Sequence, residues 1–281
     1  MNLGIIGMGY VGDALENKFK KFYAIETYDL QKKSTCNSLE ELFSKSEIIF
    51  LCLPTPMKND GSCDTSIIST SLKQINALAK DLTPNKIVII KSTIPIGSTQ
   101  IFKDKFENLD IIFNPEFLTE ANHLKDFENQ NRIILGGNGQ SLSKVVDLYS
   151  RVFPGVKIIE TDSSTAEMVK YFANSFLATK VSFANEMFDL CKKLSIDYDK
   201  VVEFVLYDKR IGPSHLKVPG NDNKRGYGGS CFPKDVSSLI TQFNANDVKS
   251  YILKASWDRN KTEDRPSKDW EELKGRAVSD E

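Results

Sequence analysis

The 281-residue sequence lacks several features that mark other classes of protein. It has no excess of charge of either sign, since 37 lysines and arginines face 38 aspartates and glutamates, so no global basic field exists to attract nucleic acid. It has no apolar run near the ~20 residues that span a bilayer. Its five cysteines are odd in number and widely spaced, which argues against a disulfide framework and against a metal site. The chain enters an apolar strand from Met1 without a signal-peptide pattern, so we expect a cytoplasmic protein.

A glycine-rich motif follows the first apolar run. Gly7-Met8-Gly9-Tyr10-Val11-Gly12 lies between a strand and a helix, where Gly7 permits a tight turn, Gly9 admits a pyrophosphate and Gly12 allows the helix to pack. Asp29 lies about 20 residues further on, where a carboxylate accepts hydrogen bonds from ribose hydroxyls and repels a 2′-phosphate. The motif therefore predicts NAD as the cofactor. The alternative is that the glycines form only a structural turn.

The first half of the chain alternates short apolar runs with helical spacing, which is typical of a sheet covered by helices. The expected strands cover residues 3–6, 24–28, 47–53, 86–91, 110–113, 132–135 and 157–160. A long helix is expected from about Ser163 to Leu194. The sequence therefore predicts an α/β fold, a Rossmann-type doubly wound parallel sheet followed by an all-helical domain with a long central helix.

Three domain segments are expected from this pattern. Residues 1–162 form the NAD-binding domain and residues 163–256 form a helical catalytic and dimerisation domain. Residues 257–281 are dense in charge and are expected to form a tail that is frayed or docked on a partner. Within the first segment, the loops at 54–56, 92–95 and 114–116 follow strands, so they should line one crevice.

Lys170 and Asn174 lie four residues apart on the long helix, so they share one face. A lysine and an amide on one face can stabilise the alkoxide that forms as a hydride leaves. Most pairs of this kind are merely solvated surface, so the pair needs other support.

That support is the segment from Gly226 to Asp235. Cys231 follows a run of glycines and a serine and precedes Pro233, which suits the first turn of a helix. A thiol at a helix N-terminus and close to Lys234 is enriched in the reactive thiolate. Cys52 and Cys191 instead fit the usual pattern of buried, inert cysteine.

These motifs together resemble the UDP-glucose/GDP-mannose dehydrogenase family across nearly the whole chain. The matching blocks are 7–12, 54–64, 91–97, 114–120 and 226–235, together with Lys170 and Asn174. The chain departs from the family at Thr119 and Ala121 and in a long loop at 218–225. Family members normally continue into a third, nucleotide-binding domain, which this sequence does not contain.

The resemblance implies a two-step oxidation of the C6 alcohol of a nucleotide sugar, with UDP-glucose as the default substrate, through a Cys231 thiohemiacetal and thioester. It implies catalytic roles for Cys231, Lys170, Asn174, Asp235, Glu116 and Thr93. Cofactor contacts are expected for Gly7, Gly9, Tyr10, Val11, Gly12, Asp29, Pro54, Thr55, Ser92, Thr93 and Glu120. From its position, Lys32 or Lys33 is a further candidate for the ribose or phosphate, with a solvated lysine as the alternative for each. The resemblance implies substrate contacts by Glu116, Phe117, Leu118, Lys170, Asn174, Arg210, Tyr227, Gly228 and Gly229.

The expected partners follow from the same resemblance. Arg210 is similar to a family arginine that reaches the substrate of a neighbouring subunit, which implies a homodimer through the long helix. A separate chain could replace the third domain. Two other functions stay open at this point: a one-step β-hydroxyacid dehydrogenase, which would need no cysteine, and a non-catalytic NAD- or nucleotide-binding remnant.

Overall fold

The computed structural model describes residues 1–80, 82–83 and 85–280. Its contacts define two compact units: Met1–Thr55 with Thr65–Lys170, and Pro56–Asp64 with Tyr171 to the end of the described chain. The longest helix, α7 (Ser163–Lys193), contributes residues to both units. The domain boundary expected at residue 162 stays a prediction.

The first unit is built on a seven-stranded sheet in the order β2-β1-β3-β4-β5-β6-β7. The strands are β1 Asn2–Ile6, β2 Ala24–Tyr28, β3 Ile48–Leu51, β4 Lys86–Ile90, β5 Leu109–Phe113, β6 Arg132–Gly136 and β7 Lys157–Thr161. The helices between them are α1 Tyr10–Phe19, α2 Leu39–Lys45, α3 Ser66–Leu78, α4 Ser98–Lys105, α5 His123–Glu128 and α6 Gly139–Val152. This architecture confirms the Rossmann-type α/β prediction.

One detail of the sheet differs from a fully parallel one. Strands β1 to β5 pair in parallel, whereas β5 and β6 pair antiparallel through Phe113 and Gly136, and β6 and β7 are parallel to each other. The order reverses between β1 and β3, since β2 pairs on one side of β1 and β3 on the other. Ligands in such sheets bind at the carboxyl ends of the strands beside this reversal.

The two faces of the sheet carry separate hydrophobic cores. Along β3, Ile49 and Leu51 join one core while Ile48 and Phe50 join the other, as the two-residue period of a strand requires. The first core is covered by α2, α3 and α4, and the second by α1, α5 and α6. Burial on both faces holds the carboxyl ends of β1, β3, β4 and β5 at one edge of a rigid sheet.

The second unit contains helices and no strand among its described residues. The end of α7 is followed by α8 Tyr198–Val205, α9 Phe232–Ala245 and α10 Tyr251–Arg259. None of the helices in the described part of the chain has the length and apolar character needed to cross a membrane.

The segment after Trp257, for which a tail that is frayed or docked on a partner was expected, packs within the second unit. Trp270 is 1% exposed, and Met57 exchanges backbone hydrogen bonds of 2.9 Å with Ala277 and Ser279. The charges also pair within the unit: Arg265 lies 2.8 Å from a carboxylate oxygen of Asp269. Charge density alone did not reveal this segment's packing because these pairings depend on the folded chain.

Candidate active site

The glycine-rich loop has the geometry that its sequence predicts. Gly7 has φ +93°, and a Cβ there would meet the Cys52 carbonyl oxygen at 2.6 Å. A Cβ on Gly12 would lie 2.1 Å from the Gly7 carbonyl oxygen. Gly9 immediately precedes α1 and has open space where its Cβ would be. The start of α1 therefore has an accessible approach at Gly9, as an anion-binding helix N-terminus needs.

Asp29 closes this loop at the end of β2. One carboxylate oxygen accepts the backbone N–H of Met8 at 2.6 Å, and the other accepts those of Gln31 and Lys32 at 2.8 and 2.9 Å. Burial acts to raise the pKa of Asp29, but these N–H donors and the Lys32 charge outweigh it and lower the pKa. The lysine that contacts the loop is Lys32, whose Nζ donates to the Met8 carbonyl; a cofactor contact by Lys33 stays a prediction.

The loops after β3 and β4 meet, as adjacent parallel strands require. The Thr55 hydroxyl donates to the Thr93 carbonyl at 2.7 Å, and the Ser92 hydroxyl donates to the Leu53 carbonyl at 2.6 Å. Thr55 and Thr93 are buried, whereas Pro54 is exposed. These bonds fix both loops at the edge of the sheet where a dinucleotide is expected.

Glu116 follows β5 and forms a buried ion pair with Lys170. The Lys170 ammonium lies 3.0 Å from Glu116 Oε1, and the Leu118 N–H donates to Oε2 at 2.6 Å. Burial acts to raise the pKa of Glu116, but Lys170 and the Leu118 N–H more than compensate, so the pKa is lowered. The Phe117 ring lies 5.4 Å from the same ammonium. Glu116 is therefore ionised near neutral pH, which suits a base and not a proton donor.

His123 at the start of α5 contacts two of the predicted cofactor residues. Its ring lies 5.0 Å from that of Tyr10, and its Nδ1 is 3.1 Å from the Glu120 carbonyl oxygen. Its Nε2 is 2.9 Å from Asp13 on α1. The motif pattern did not single out His123, because Tyr10 and Asp13, which contact its ring, lie on a helix about 110 residues earlier.

Cys231 lies at the N-cap of α9 in the second unit, with Pro233 in the first turn. The Lys234 ammonium is 2.5 Å from Asp235, whose other carboxylate oxygen accepts Asn174 Nδ2 at 2.6 Å. Burial acts to lower the pKa of Lys234, but Asp235 and the Cys231 sulfur raise it above its ordinary value. The Lys234 ammonium, which is ion-paired with Asp235, and the start of α9 therefore both lie close to the Cys231 thiol.

Cys52 and Cys191 have surroundings that fit the interpretation of inert thiols. Burial raises the pKa of Cys52 to about 12, so it is a neutral thiol at physiological pH. Cys191 is 8% exposed and packs in the same core as Tyr198.

At two of the three glycines before Cys231, the space that a Cβ would need is occupied by other side chains of the protein. A Cβ on Gly226 would meet Asn260 Oδ1 at 2.3 Å, and one on Gly228 would meet the Arg265 guanidinium at 2.6 Å. Gly229, with φ +71°, faces open space. The Tyr227 ring is buried and stacks on Trp257 at 6.3 Å, so any contact of Tyr227 with substrate would use its backbone. Substrate roles for Tyr227, Gly228 and Gly229 stay predictions.

Arg210 and one face of α7 are exposed. The Arg210 side chain is 89% exposed and pairs with Asp208. Phe172, Phe176 and Phe183 on α7 are 66%, 62% and 58% exposed. An aromatic stripe of this kind is typical of an interaction surface.

A buried polar cluster lies beneath the loop that follows β5. Lys91 Nζ donates to Asn114 Oδ1 at 2.7 Å, and the Tyr149 hydroxyl donates to the same oxygen. The only sequence signal for it is a lysine that ends the apolar run of β4.

Comparison with known families gives matches to both units. Residues 15–153 match the NAD binding domain of the UDP-glucose/GDP-mannose dehydrogenase family, and residues 164–262 match the central domain of the same family. The chain is 35% identical over 259 residues to a UDP-glucose 6-dehydrogenase of Rickettsia bellii, covering 90% of this chain and 57% of that protein. It is 31% identical over 278 residues to UDP-glucose 6-dehydrogenase YwqF of Bacillus subtilis, covering 85% and 61%. The chain thus spans about three fifths of these relatives.

Solved structures show the same fold. A UDP-glucose dehydrogenase from Pyrobaculum islandicum superposes with a TM-score of 0.84 at 28% identity, covering 92% of this chain and 68% of that one. A 3-hydroxyisobutyrate dehydrogenase from Mycobacterium tuberculosis superposes with a TM-score of 0.74 at 16% identity, covering 92% and 91%. The second likeness concerns the fold alone.

Proposed function

Because this chain belongs to the UDP-glucose/GDP-mannose dehydrogenase family, we propose that it oxidises the C6 alcohol of a nucleotide sugar to the carboxylate. The default substrate is UDP-glucose, since the two relatives compared above are named UDP-glucose 6-dehydrogenases. The reaction consumes two NAD+ and one water and releases two NADH.

The observation that carries the proposal is the surroundings of Cys231. A one-step alcohol oxidation needs no nucleophile, whereas the oxidation of an aldehyde to an acid proceeds readily through a covalent thioester. Cys231 begins α9 beside Lys234, and the Asp235–Asn174 hydrogen bond fixes the neighbouring turn. These surroundings support an activated thiol at Cys231.

The residues of the first unit fit NAD+. The open space at Gly9 and the start of α1 suit its pyrophosphate, and Asp29 suits its adenosine ribose. Thr55, Ser92 and Glu120 would bind its nicotinamide side. NAD+, when bound, supplies the hydride acceptor for both oxidations.

Four further side chains are proposed to carry the remaining chemistry. Glu116, already ionised, accepts the proton that the C6 hydroxyl loses, with Thr93 helping to hold a water beside it. Lys170 and Asn174 stabilise the alkoxide and the later oxyanions.

The covalent steps belong to Cys231. Its thiolate adds to the carbonyl carbon of the aldehyde and forms a thiohemiacetal. Loss of a second hydride gives a thioester, and attack by water then releases the acid and restores the thiol. Atoms balance with one water consumed for each acid formed.

We also propose that the chain forms a homodimer through α7. The exposed phenylalanines on this helix are the chemical support, because a soluble monomer rarely exposes a run of large aromatic side chains. Arg210, exposed after α8, would then reach the substrate of the neighbouring copy.

The test is a panel of UDP- and GDP-sugars with NADH measured by absorbance and products identified by mass. Two NADH for each uronic acid support the proposal. One NADH for each product, with no acid, favours a one-step hydroxyacid dehydrogenase. NAD binding without turnover of any sugar favours the non-catalytic alternative.

A further inference from the structure

Lys91 is a buried cation for which the proposed reaction has no role. It directly follows β4 and is 3% exposed. Its backbone N–H donates to the Leu51 carbonyl at 2.9 Å. This bond continues the pairing of β3 with β4 and fixes the position of the Lys91 backbone. A lysine is rarely buried to this degree unless its charge is needed or compensated.

The ammonium group of Lys91 is tied to the loop that carries Glu116. Its Nζ donates to Asn114 Oδ1 at 2.7 Å, and Asn114 lies two residues before Glu116. The Asn114 amide also donates to the Ile134 carbonyl at 2.7 Å. The orientation of Asn114 is therefore fixed from both ends of its amide.

Four titratable groups surround Lys91. Cys52 follows β3, Glu116 follows β5, Tyr149 lies on α6 and Lys170 lies on α7. Burial keeps the Cys52 thiol and the Tyr149 hydroxyl neutral, because it raises both pKa values. Glu116 is therefore the anion that balances Lys91.

Two of these groups carry positive charge. The ammonium groups of Lys91 and Lys170 both act on the Glu116 carboxylate. Nearby positive charge favours the ionised form of a carboxyl group.

We propose that Lys91 is a positioning residue for Glu116: its buried ammonium group holds Asn114 in place and supplies positive charge that keeps the Glu116 carboxylate ionised. This assignment rests on the proposed role of Glu116 as the base. It does not depend on which sugar is the substrate.

The direction of the pKa shifts agrees with this geometry. Lys91 lowers the pKa of Glu116 from across the cluster, in addition to Lys170 and the Leu118 N–H. Burial, with the nearby Lys170 charge, lowers the pKa of Lys91 itself to about 8, against the opposing effect of the Glu116 carboxylate. Above that pH Lys91 should lose its positive charge.

The experiment is an infrared titration of the Glu116 carboxyl group without substrate or cofactor, with Glu116→Gln as the reference that identifies its band. In Lys91→Met the midpoint should rise by about one pH unit or more, the shift typical of losing a nearby opposite charge. Lys91→Arg should keep the midpoint near that of the unmodified protein. An unchanged midpoint in Lys91→Met would overturn the proposal.

A matched control is Lys86→Met. Lys86 begins the same strand and donates to the Phe43 and Ser46 carbonyls, so its loss should leave the Glu116 midpoint unchanged. Methionine has a side chain of similar length to that of lysine. In Lys91→Met, Asn114 Oδ1 should still accept the hydrogen bond from the Tyr149 hydroxyl. Lys91→Gln is the second variant if Met prevents folding.

The unmodified protein offers an independent check. Its Glu116 carboxylate band should shift a second time near pH 8, as Lys91 loses its proton. A band that stays constant through that range contradicts the coupling. Because none of these readings needs turnover, a protein that oxidises no sugar would refute the proposed function and leave this inference testable.

Discussion

Asp29→Asn tests both the fold of the cofactor loop and the choice of cofactor. In the structure one carboxylate oxygen accepts the Met8 N–H and the other accepts those of Gln31 and Lys32. An amide replaces one oxygen by an NH2 group, so at least one N–H donor loses its acceptor. Leaving such a donor without a partner costs about 1–3 kcal/mol.

That loss should lower Tm by roughly 2–12 °C, at about 2–4 °C per kcal/mol for a chain of this size class. The effect should depend on pH. Because the folded-state pKa of Asp29 is lowered, its carboxylate stabilises the fold above the ordinary Asp pKa of about 4, and this contribution is lost as pH falls through the lowered value. The difference in Tm between the protein and Asp29→Asn should therefore shrink in acid.

Cofactor preference should change at the same time. A unit charge about 4 Å from a 2′-phosphate is worth about 1–4 kcal/mol of repulsion, so the NAD-over-NADP preference should narrow roughly fivefold or more. Fluorescence titration with NADH and NADPH measures it, and Asp147→Asn, an exposed aspartate on α6, is the control. An unchanged affinity ratio would refute the assignment of Asp29 to the ribose.

Gly228→Ala should destabilise the second unit by about 1–3 kcal/mol in urea unfolding, the usual cost of overpacking, because its Cβ would displace the buried Arg265 guanidinium; Gly212→Ala, with open space, should change little. Equal midpoints for the two variants would contradict this packing. Phe176→Glu on the exposed face of α7 should convert a dimer to a monomer in sedimentation velocity, whereas Lys192→Glu on the same helix should not. A monomer before any substitution would rule out the proposed dimer.

Much of the first unit was predictable from local pattern. The run Ala24–Tyr28 is a strand at those bounds, and the glycine motif begins α1. Apolar periodicity and glycine spacing suffice for both, because each depends on residues that are close in the chain. The direction of β6 was not predictable, since an apolar run reads the same in a parallel and an antiparallel pair.

The site was predictable only where its chemistry is local. Cys231 and Lys234 are three residues apart, so their proximity follows from the helix alone. The contact of Arg265 with Gly228 was not predictable, because the two residues are distant in sequence. A run of glycines has the same sequence whether a ligand or another side chain lies beside it. The buried Lys91 likewise depends on Asn114, from another strand.

The role of Cys231 is the central claim, and one measurement tests it most directly. Cys231→Ala and Cys231→Ser are supplied with NAD+ and the preferred nucleotide sugar, and acid is quantified by mass. NAD binding should be intact, because the glycine loop and Asp29 belong to the first unit, and Cys52→Ala should still make acid. We predict that acid formation collapses in both Cys231 variants, since neither can form and release the thioester. Acid production by Cys231→Ala at a rate near that of the unmodified protein would contradict covalent catalysis.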